Sequence, residues 1–306
     1  MITDLPDTST AAVAKALVRL RDEGGAVALG RVLTLVIDAS ASDVERAVEA
    51  ANIASREHPC RVIVLARDEQ RETARLDAQI RVGGDAGASE VVVLTASGEM
   101  LEHSDTLVMP LLLPDAPIVV WWPQEVPSAP AEHPIGSMAQ RRITDSVSCT
   151  DTVAALHRLR DGHTAGNTDL AWTRITPWRG LLAAALDQPP YEAVTSVEVH
   201  GEGTHPSVTL LAAWLGMMLE SPVDLHREQG VQGVTRVVLH RTSGPIVIDR
   251  PDGRVAILNQ PGQPERTAAL PLRPLTDCLA EELRRLDPDE VYGEVLAQGL
   301  ALLEDA

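Results

Sequence analysis

The chain has 306 residues, 44% of them hydrophobic, with a formal net charge of −18 and a sequence pI near 4.8. That length exceeds the usual reach of one hydrophobic core and predicts two domains. The acidity disfavours nucleic acid as a partner, because a phosphate backbone needs a basic footprint. Phe is absent and aromatic residues make up 2%, so the interior has to be built from Val, Leu, Ile and Ala, against which five Trp stand out. Cys60, Cys149 and Cys278 are too scattered for a CxxC zinc or dithiol motif and fit a reducing cytoplasm. No basic-then-apolar leader opens the chain, and even VTLLAAWLGMML is too short to span a bilayer, so a cytoplasmic protein without a membrane partner is expected.

In chain order, Asp7-Thr8-Ser9-Thr10 supplies capping residues before AAVAKALVRLRDEG, a helical run stopped at Gly24-Gly25. RVLTLVI (Arg31–Ile37) reads as a buried strand, DVERAVEAANIASREH as a helix ended by Pro59, and CRVIVLA (Cys60–Ala66) as a second buried strand. Continuous apolar strands in strand–helix–strand order predict a parallel sheet covered on both faces. Leu76–Val82 and Glu90–Thr95 add an antiparallel hairpin, and PIVVWW (Pro117–Trp122) a last strand. The proline-rich Pro123–Pro134 marks an exposed connection, giving domains over 1–135 and 136–306. IGSMAQRRITDS and TDTVAALHRLRDG then read as a short turn and a helix. The later half alternates helices at Pro177–Leu186 and Ser207–Leu219 with strands at Val194–His200, Val223–Arg227, Gly233–His240, Pro245–Asp249, Val255–Asn259 and Thr267–Leu270. Two helices, Leu275–Leu286 and Asp289–Leu303, end the chain. The fold class is therefore α/β: an N-terminal three-layer domain with a mostly parallel sheet plus an antiparallel hairpin, followed by an α+β domain.

Two glycine loops invite a phosphate reading. Gly83-Gly84-Asp85-Ala86-Gly87 is followed by another strand rather than a helix, which makes it a hairpin turn and leaves Asp85 as a candidate partner contact. Gly201-Glu202-Gly203, with His205, Pro206 and Ser207 behind it, does join a strand to a helix, so backbone N–H groups there could hold an anion. The competing reading, which we prefer, is a plain strand-to-helix turn with Ser207 as the cap. The nine His form no HxxxH or HExxH pattern. His200 and His205, which flank one loop, read as solvated, and no metal is expected. With no GxSxG elbow and no Walker sequence, neither catalytic residues nor cofactors are predicted. Trp172, Arg174, Trp178 and Arg179 form an aromatic–cation cluster of the kind found at interface hot spots. Trp122, Arg141 and Arg142 are the next candidates for partner contact.

The blocks EHPCRVIV (Glu57–Val64), RLDAQIRVGGDAGASEVVVL (Arg75–Leu94), PLLLPDAPIVVWWP (Pro110–Pro123), PIGSMAQRRITDS (Pro134–Ser146) and DLAWTRITPWRGLLAAAL (Asp169–Leu186) resemble the OpcA family of glucose-6-phosphate dehydrogenase assembly proteins, in its high-GC Gram-positive form. The resemblance implies a non-catalytic protein that binds the dehydrogenase oligomer, favours its active state and so supports the oxidative pentose phosphate pathway and NADPH supply. The alternative from residues alone is a sugar-phosphate-binding or sugar-phosphate-processing protein using the Gly201–Ser207 loop.

Overall fold

The structure, a computed structural model, describes residues 1–23, 32–82 and 90–304. The chain divides into two compact units, each assembled from separate stretches. One draws on Met1–Asp145, Gly166–Thr168 and Leu275–Pro288; the other on Ser146–Ala165, Asp169–Pro274 and the chain from Asp289 on. The line expected at 135/136 is thus drawn differently. Strand β7 (Arg141–Thr144) pairs with the sheet of the first unit, and a helix from late in the sequence returns to it.

In the first unit, β2 (Leu33–Ser40), β3 (Cys60–Arg67), β5 (Glu90–Ser97), β6 (Ile118–Trp122) and β7 are parallel, in the order β5-β3-β2-β6-β7. β4 (Arg75–Arg81) runs antiparallel to β5 as the predicted hairpin, and β1 (Ile2–Leu5), which was not expected, extends it. The short β8 (Asn167–Asp169) completes the far side. β2 and β3 are buried at all positions but the last, the mark of a sheet covered on both faces. On one face α1 (Thr10–Glu23) buries Val13, Ala16, Leu17 and Leu20, a helical stripe, against Val36, Ile63, Leu65, Val92 and Trp122. On the other, α2 (Val44–Ala54) packs on β2 and β3 and is itself covered by α8 (Leu275–Arg284) through Cys278, Leu279 and Leu283. The segment SDTLVMPLLLPD forms the short α3 (Ser104–Val108) and a following 3₁₀ turn.

The second unit opens with α4 (Thr152–Asp161), capped by Asp151, whose Oδ1 accepts from Ala154 N at 2.9 Å. After α5 (Leu170–Arg174) and α6 (Thr176–Leu186) come β9 (Ser196–Glu202), α7 (Pro206–Leu219) and β10 (Val223–Glu228), a parallel pair joined by a helix. The antiparallel β11 (Val234–His240), β12 (Ile246–Asp249), β13 (Val255–Asn259) and β14 (Arg266–Ala269) extend the sheet in the order β10-β9-β11-β12-β13-β14. The predicted Asp252-Gly253 turn joins β12 to β13, with the Asp252 carboxylate accepting from Arg254 N and Val255 N at 2.9 Å. α7 is apolar almost all round and buried along most of its length, from Pro206 to Gly216, with Met218 exposed near its end. The closing helices α9 (Glu290–Glu294) and α10 (Leu300–Glu304) are joined by a π turn whose Gly299 approaches so near that a Cβ there would lie 2.8 Å from Ala213 O.

Inside this aliphatic interior, Arg61 and Glu90 face each other across β3 and β5 with Nε 2.9 Å from Oε2, and both side chains are buried. Removing one partner strands the other charge away from water. We expect Glu90→Ala to cost about 3–5 kcal/mol, read from the urea midpoint, whereas Arg61→Met/Glu90→Leu together should cost far less. Equal losses for the single and double variants would refute this.

Candidate functional site

In a doubly wound sheet, ligands bind beyond the carboxyl ends of the strands where the strand order reverses. That point falls here between β2 and β6. Asp38, near the end of β2, is buried there, and its carboxyl is pushed up to about 6, chiefly by burial and in part offset by Arg67. Arg67, which ends β3, has its Nε 3.3 Å from Asp38 Oδ1 and its Nη2 2.9 Å from Glu125 Oε2. His133 lies with Nε2 3.9 Å from Asp38 Oδ2 and edge-on to Trp122, ring centroids 5.4 Å apart. Burial, assisted by Arg67, holds the imidazole below its usual range. Asp38 Oδ1, Arg67 Nε, Trp122 Nε1 and His133 Nδ1 are buried; the first two meet as an ion pair and the Trp122 indole faces the Asp38 carboxyl, but none of the four makes a well-formed hydrogen bond among the described residues. A carboxyl titrating near neutrality beside a neutral imidazole can hold or pass a proton, or bind a polar group. The sequence carries a signal for this cluster, a charged residue at the end of each of two apolar runs, LTLVID and CRVIVLAR.

The same edge does not fit a dinucleotide. The turn from β2 into α2 reads Ser40-Ala41-Ser42-Asp43, without glycine, and Asp43 stands at the helix N-terminus with Glu45 in the first turn. Hydrogen bonds, first from Gln124 and then from Ser40, hold the Asp43 carboxyl below its ordinary value. Two carboxylates thus stand where a pyrophosphate would seat on backbone N–H groups.

The partner-contact candidates land inside their own units. Trp122 belongs to the core of the first unit. Arg141 is buried in an ion pair with Glu282 of α8. Arg142 donates from Nε to Asn167 Oδ1 at 2.5 Å and from Nη1 to Ala139 O at 2.8 Å. Both arginines therefore tie β7 to its surroundings rather than face solvent, and burial, then Arg141, pulls the Arg142 pKa down. Trp172 is also buried: its Nε1 donates to Asp289 Oδ2 at 2.8 Å, and the Arg179 guanidinium sits 3.7 Å above its ring. Trp178 is buried beneath Arg250, whose guanidinium lies 5.3 Å from its ring centre. Exposed aromatic anchors, expected at Trp122, Trp172 and Trp178, are thus replaced by core packing. Arg174 and Arg179 are half-buried, and Asp85 lies outside the described residues.

The Gly201–Ser207 turn has the expected strand–turn–helix form with a different cap. His205 caps α7, its Nδ1 accepting from Ser207 N at 3.2 Å, while Ser207 Oγ donates to Ala171 O at 2.7 Å. Gly201 is required because a Cβ there would lie 2.5 Å from Gly233 O. Beside the turn opens a cavity of about 290 Å³ lined in part by Arg174, Arg250, Arg273, Glu202, His205 and Ser207. Arg273 Nη1 donates to Thr173 O at 2.8 Å, and Arg250 donates to Val234 O and, at 3.3 Å, to Leu270 O.

Two outcomes follow. Asp38 has a folded pKa raised above its unfolded value, so its contribution is full below about pH 4 and is lost as pH rises through about 6. The stability of the wild type relative to Asp38→Asn should therefore fall by about 2 kcal/mol between pH 4 and 7 in urea titrations, and a constant difference would refute it. Trp178→Ala should cost about 3–5 kcal/mol of folding free energy by the same measurement, and an unchanged midpoint would show that the indole is not core.

Among the described residues no helix is long and apolar enough to cross a membrane. The chain is similar to proteins named OxPP cycle protein OpcA: 26% identical over 196 residues in Nostoc punctiforme and 27% over 206 residues in a Synechocystis strain, covering 59% and 61% of this chain. It spans only 42% and 43% of the length of these relatives. Among solved structures, an oxidoreductase from Sinorhizobium meliloti matches over 89% of this chain and 96% of its own at 10% identity, with a TM-score of 0.45. The UDP-N-acetylglucosamine 3-dehydrogenase GnnA of Acidithiobacillus ferrooxidans matches over the same shares at 11% identity and 0.44. Likeness at that level carries no weight for function. Family models for the N-terminal and C-terminal domains of a glucose-6-phosphate dehydrogenase subunit match residues 51–161 and 165–296, so that the chain belongs to the OpcA family.

Proposed function

We propose that this protein is a non-catalytic assembly partner of glucose-6-phosphate dehydrogenase that binds the dehydrogenase, favours its active oligomer and thereby supports the oxidative pentose phosphate pathway and its NADPH supply in the cytoplasm. The observation that carries the reading is the match of both domain models of a glucose-6-phosphate dehydrogenase subunit along one chain. The acidic turn at the start of α2 supports the non-catalytic part, because it disfavours the pyrophosphate that a nicotinamide cofactor would bring. Activation needs no chemistry from the partner. A protein with higher affinity for the competent state of an enzyme shifts the population toward that state by its differential affinity alone. If the competent state is only fractionally populated without the partner, its binding lowers the apparent KM by the same fraction. With the tryptophans in the core, contact with the dehydrogenase falls to half-buried cations, of which Arg174 and Arg179 are our candidates.

A second reading, sugar-phosphate binding at the Gly201–Ser207 turn, is favoured by the arginine-lined cavity beside it. One experiment separates the two. Purified protein and its cognate dehydrogenase should co-elute at a raised mass, with a lower KM for glucose 6-phosphate than the enzyme alone. Arg174→Ala/Arg179→Ala should weaken the complex by roughly 5–30-fold, equivalent to about 1–2 kcal/mol. Unchanged mass and kinetics would overturn the assembly reading, while saturable heat on titrating glucose 6-phosphate into the protein alone would favour the second.

A further inference from the structure

On the face of the six-stranded sheet away from α7, side chains from neighbouring strands converge. Along β9, Val197, Val199 and Gly201 are buried, so Glu198, His200 and Glu202 alternate to the opposite face. The register sets His226 of β10 directly beside His200 and Arg236 of β11 on its other side. Arg236 is engaged away from the histidines by Asp249 of β12, Nη1 to Oδ1 3.0 Å. The His200 and His226 rings stack with centroids 4.2 Å apart and 17° between their planes. His200 Nε2 faces Glu198 Oε2 at 3.3 Å, and its Nδ1 faces Glu228 Oε1 at 3.5 Å. The second oxygen of Glu198, Oε1, lies 2.7 Å from His240 Nε2. One ligating atom from each of Glu198, His200 and His226 lies within 4.8 Å of the others.

We propose that Glu198, His200 and His226 bind a divalent transition-metal ion of the zinc class, with Glu228 and His240 orienting two of the ligands from behind. Two imidazoles and one carboxylate suit zinc, cobalt, nickel or copper rather than calcium or magnesium, which prefer an all-oxygen shell. At a bond length of about 2.0–2.1 Å, tetrahedral ligands sit roughly 3.4 Å apart, so side-chain rotations on this half-exposed face suffice while the backbone register stays fixed. The outer contacts have the form found around metal-bound histidine. Glu228 Oε1 lies 3.5 Å from His200 Nδ1, placed to accept from that nitrogen once Nε2 is taken up by a metal. Glu198 is likewise held through its remaining oxygen by His240, whose Nε2 lies 2.7 Å from Oε1. Three protein ligands leave a coordination position open to water. Because β10 is the edge strand of the described sheet, the ion would also clamp that edge to β9.

The test uses the full chain, stripped with a chelator and titrated with zinc and with cobalt. The expected result is uptake of about one zinc per chain, a visible ligand-field spectrum with cobalt, and a zinc-dependent rise in Tm. His226→Ala and Glu198→Gln should abolish all three, and Glu228→Gln and His240→Ala should weaken uptake by about 10–100-fold. His226 is exposed, so its variant tests the site without disturbing the core, with circular dichroism as the check on folding. No saturable uptake by the wild type, or uptake by a folded His226→Ala variant as tight as the wild type's, would overturn the proposal.

Discussion

A parallel sheet covered by helices on both faces has no wet side. Its strands can carry polar groups only at their ends, or in pairs that satisfy each other, and the first unit follows from that restriction. Arg61 and Glu90 begin β3 and β5 and pair. Asp38 and Arg67 stand at the far ends of β2 and β3. Arg141 opens β7 and is paired because α8 brings Glu282 to it. A second polar group gathers at the carboxyl edge, where Asp38, Arg67 and His133 meet with buried polar atoms that no well-formed hydrogen bond satisfies among the described residues.

The second unit solves a different problem. Its sheet has one face packed on α7 and one face that is not, so β9 alternates, and the polar members of the alternation, Glu198 and His200, accumulate with their neighbours on one surface. The interior meanwhile lacks Phe, and the large volumes fall to tryptophan. Each buried indole or guanidinium then needs a partner. Asp289 receives the Trp172 N–H while capping α9 through Tyr292 N at 2.9 Å, so one carboxylate serves a core side chain and a helix end together.

Much of this was legible from the residues. Strands such as CRVIVLA and helices such as AAVAKALVRLRDEG have the period and length of their elements, and most boundaries fell within a few positions of those predicted. The misses share a cause. RRIT gives no strand signal because the arginines that make it look exposed are matched by Glu282 and Asn167, remote in sequence. ITDL and NTD are strands only because a neighbouring strand lies alongside. Trp172 and Trp178, interleaved with arginine, look like an exposed anchor, whereas composition argued the other way: in a chain without Phe, tryptophan is what fills a large hole. The Glu198–His200–His226 group has no helical spacing, since it depends on a strand alternation and on the register between β9 and β10.

The return of residues 275–288 to the first unit also sets an order of events during synthesis. By the time Asp145 leaves the ribosome, every strand of the sheet except β8 has been made, yet the outer side of α2 is bare and Arg141 has no Glu282 to meet. At about 5–20 residues per second, the intervening stretch takes on the order of ten seconds to appear. Through that interval the nascent first unit carries an apolar helix face and an arginine that still lacks its carboxylate.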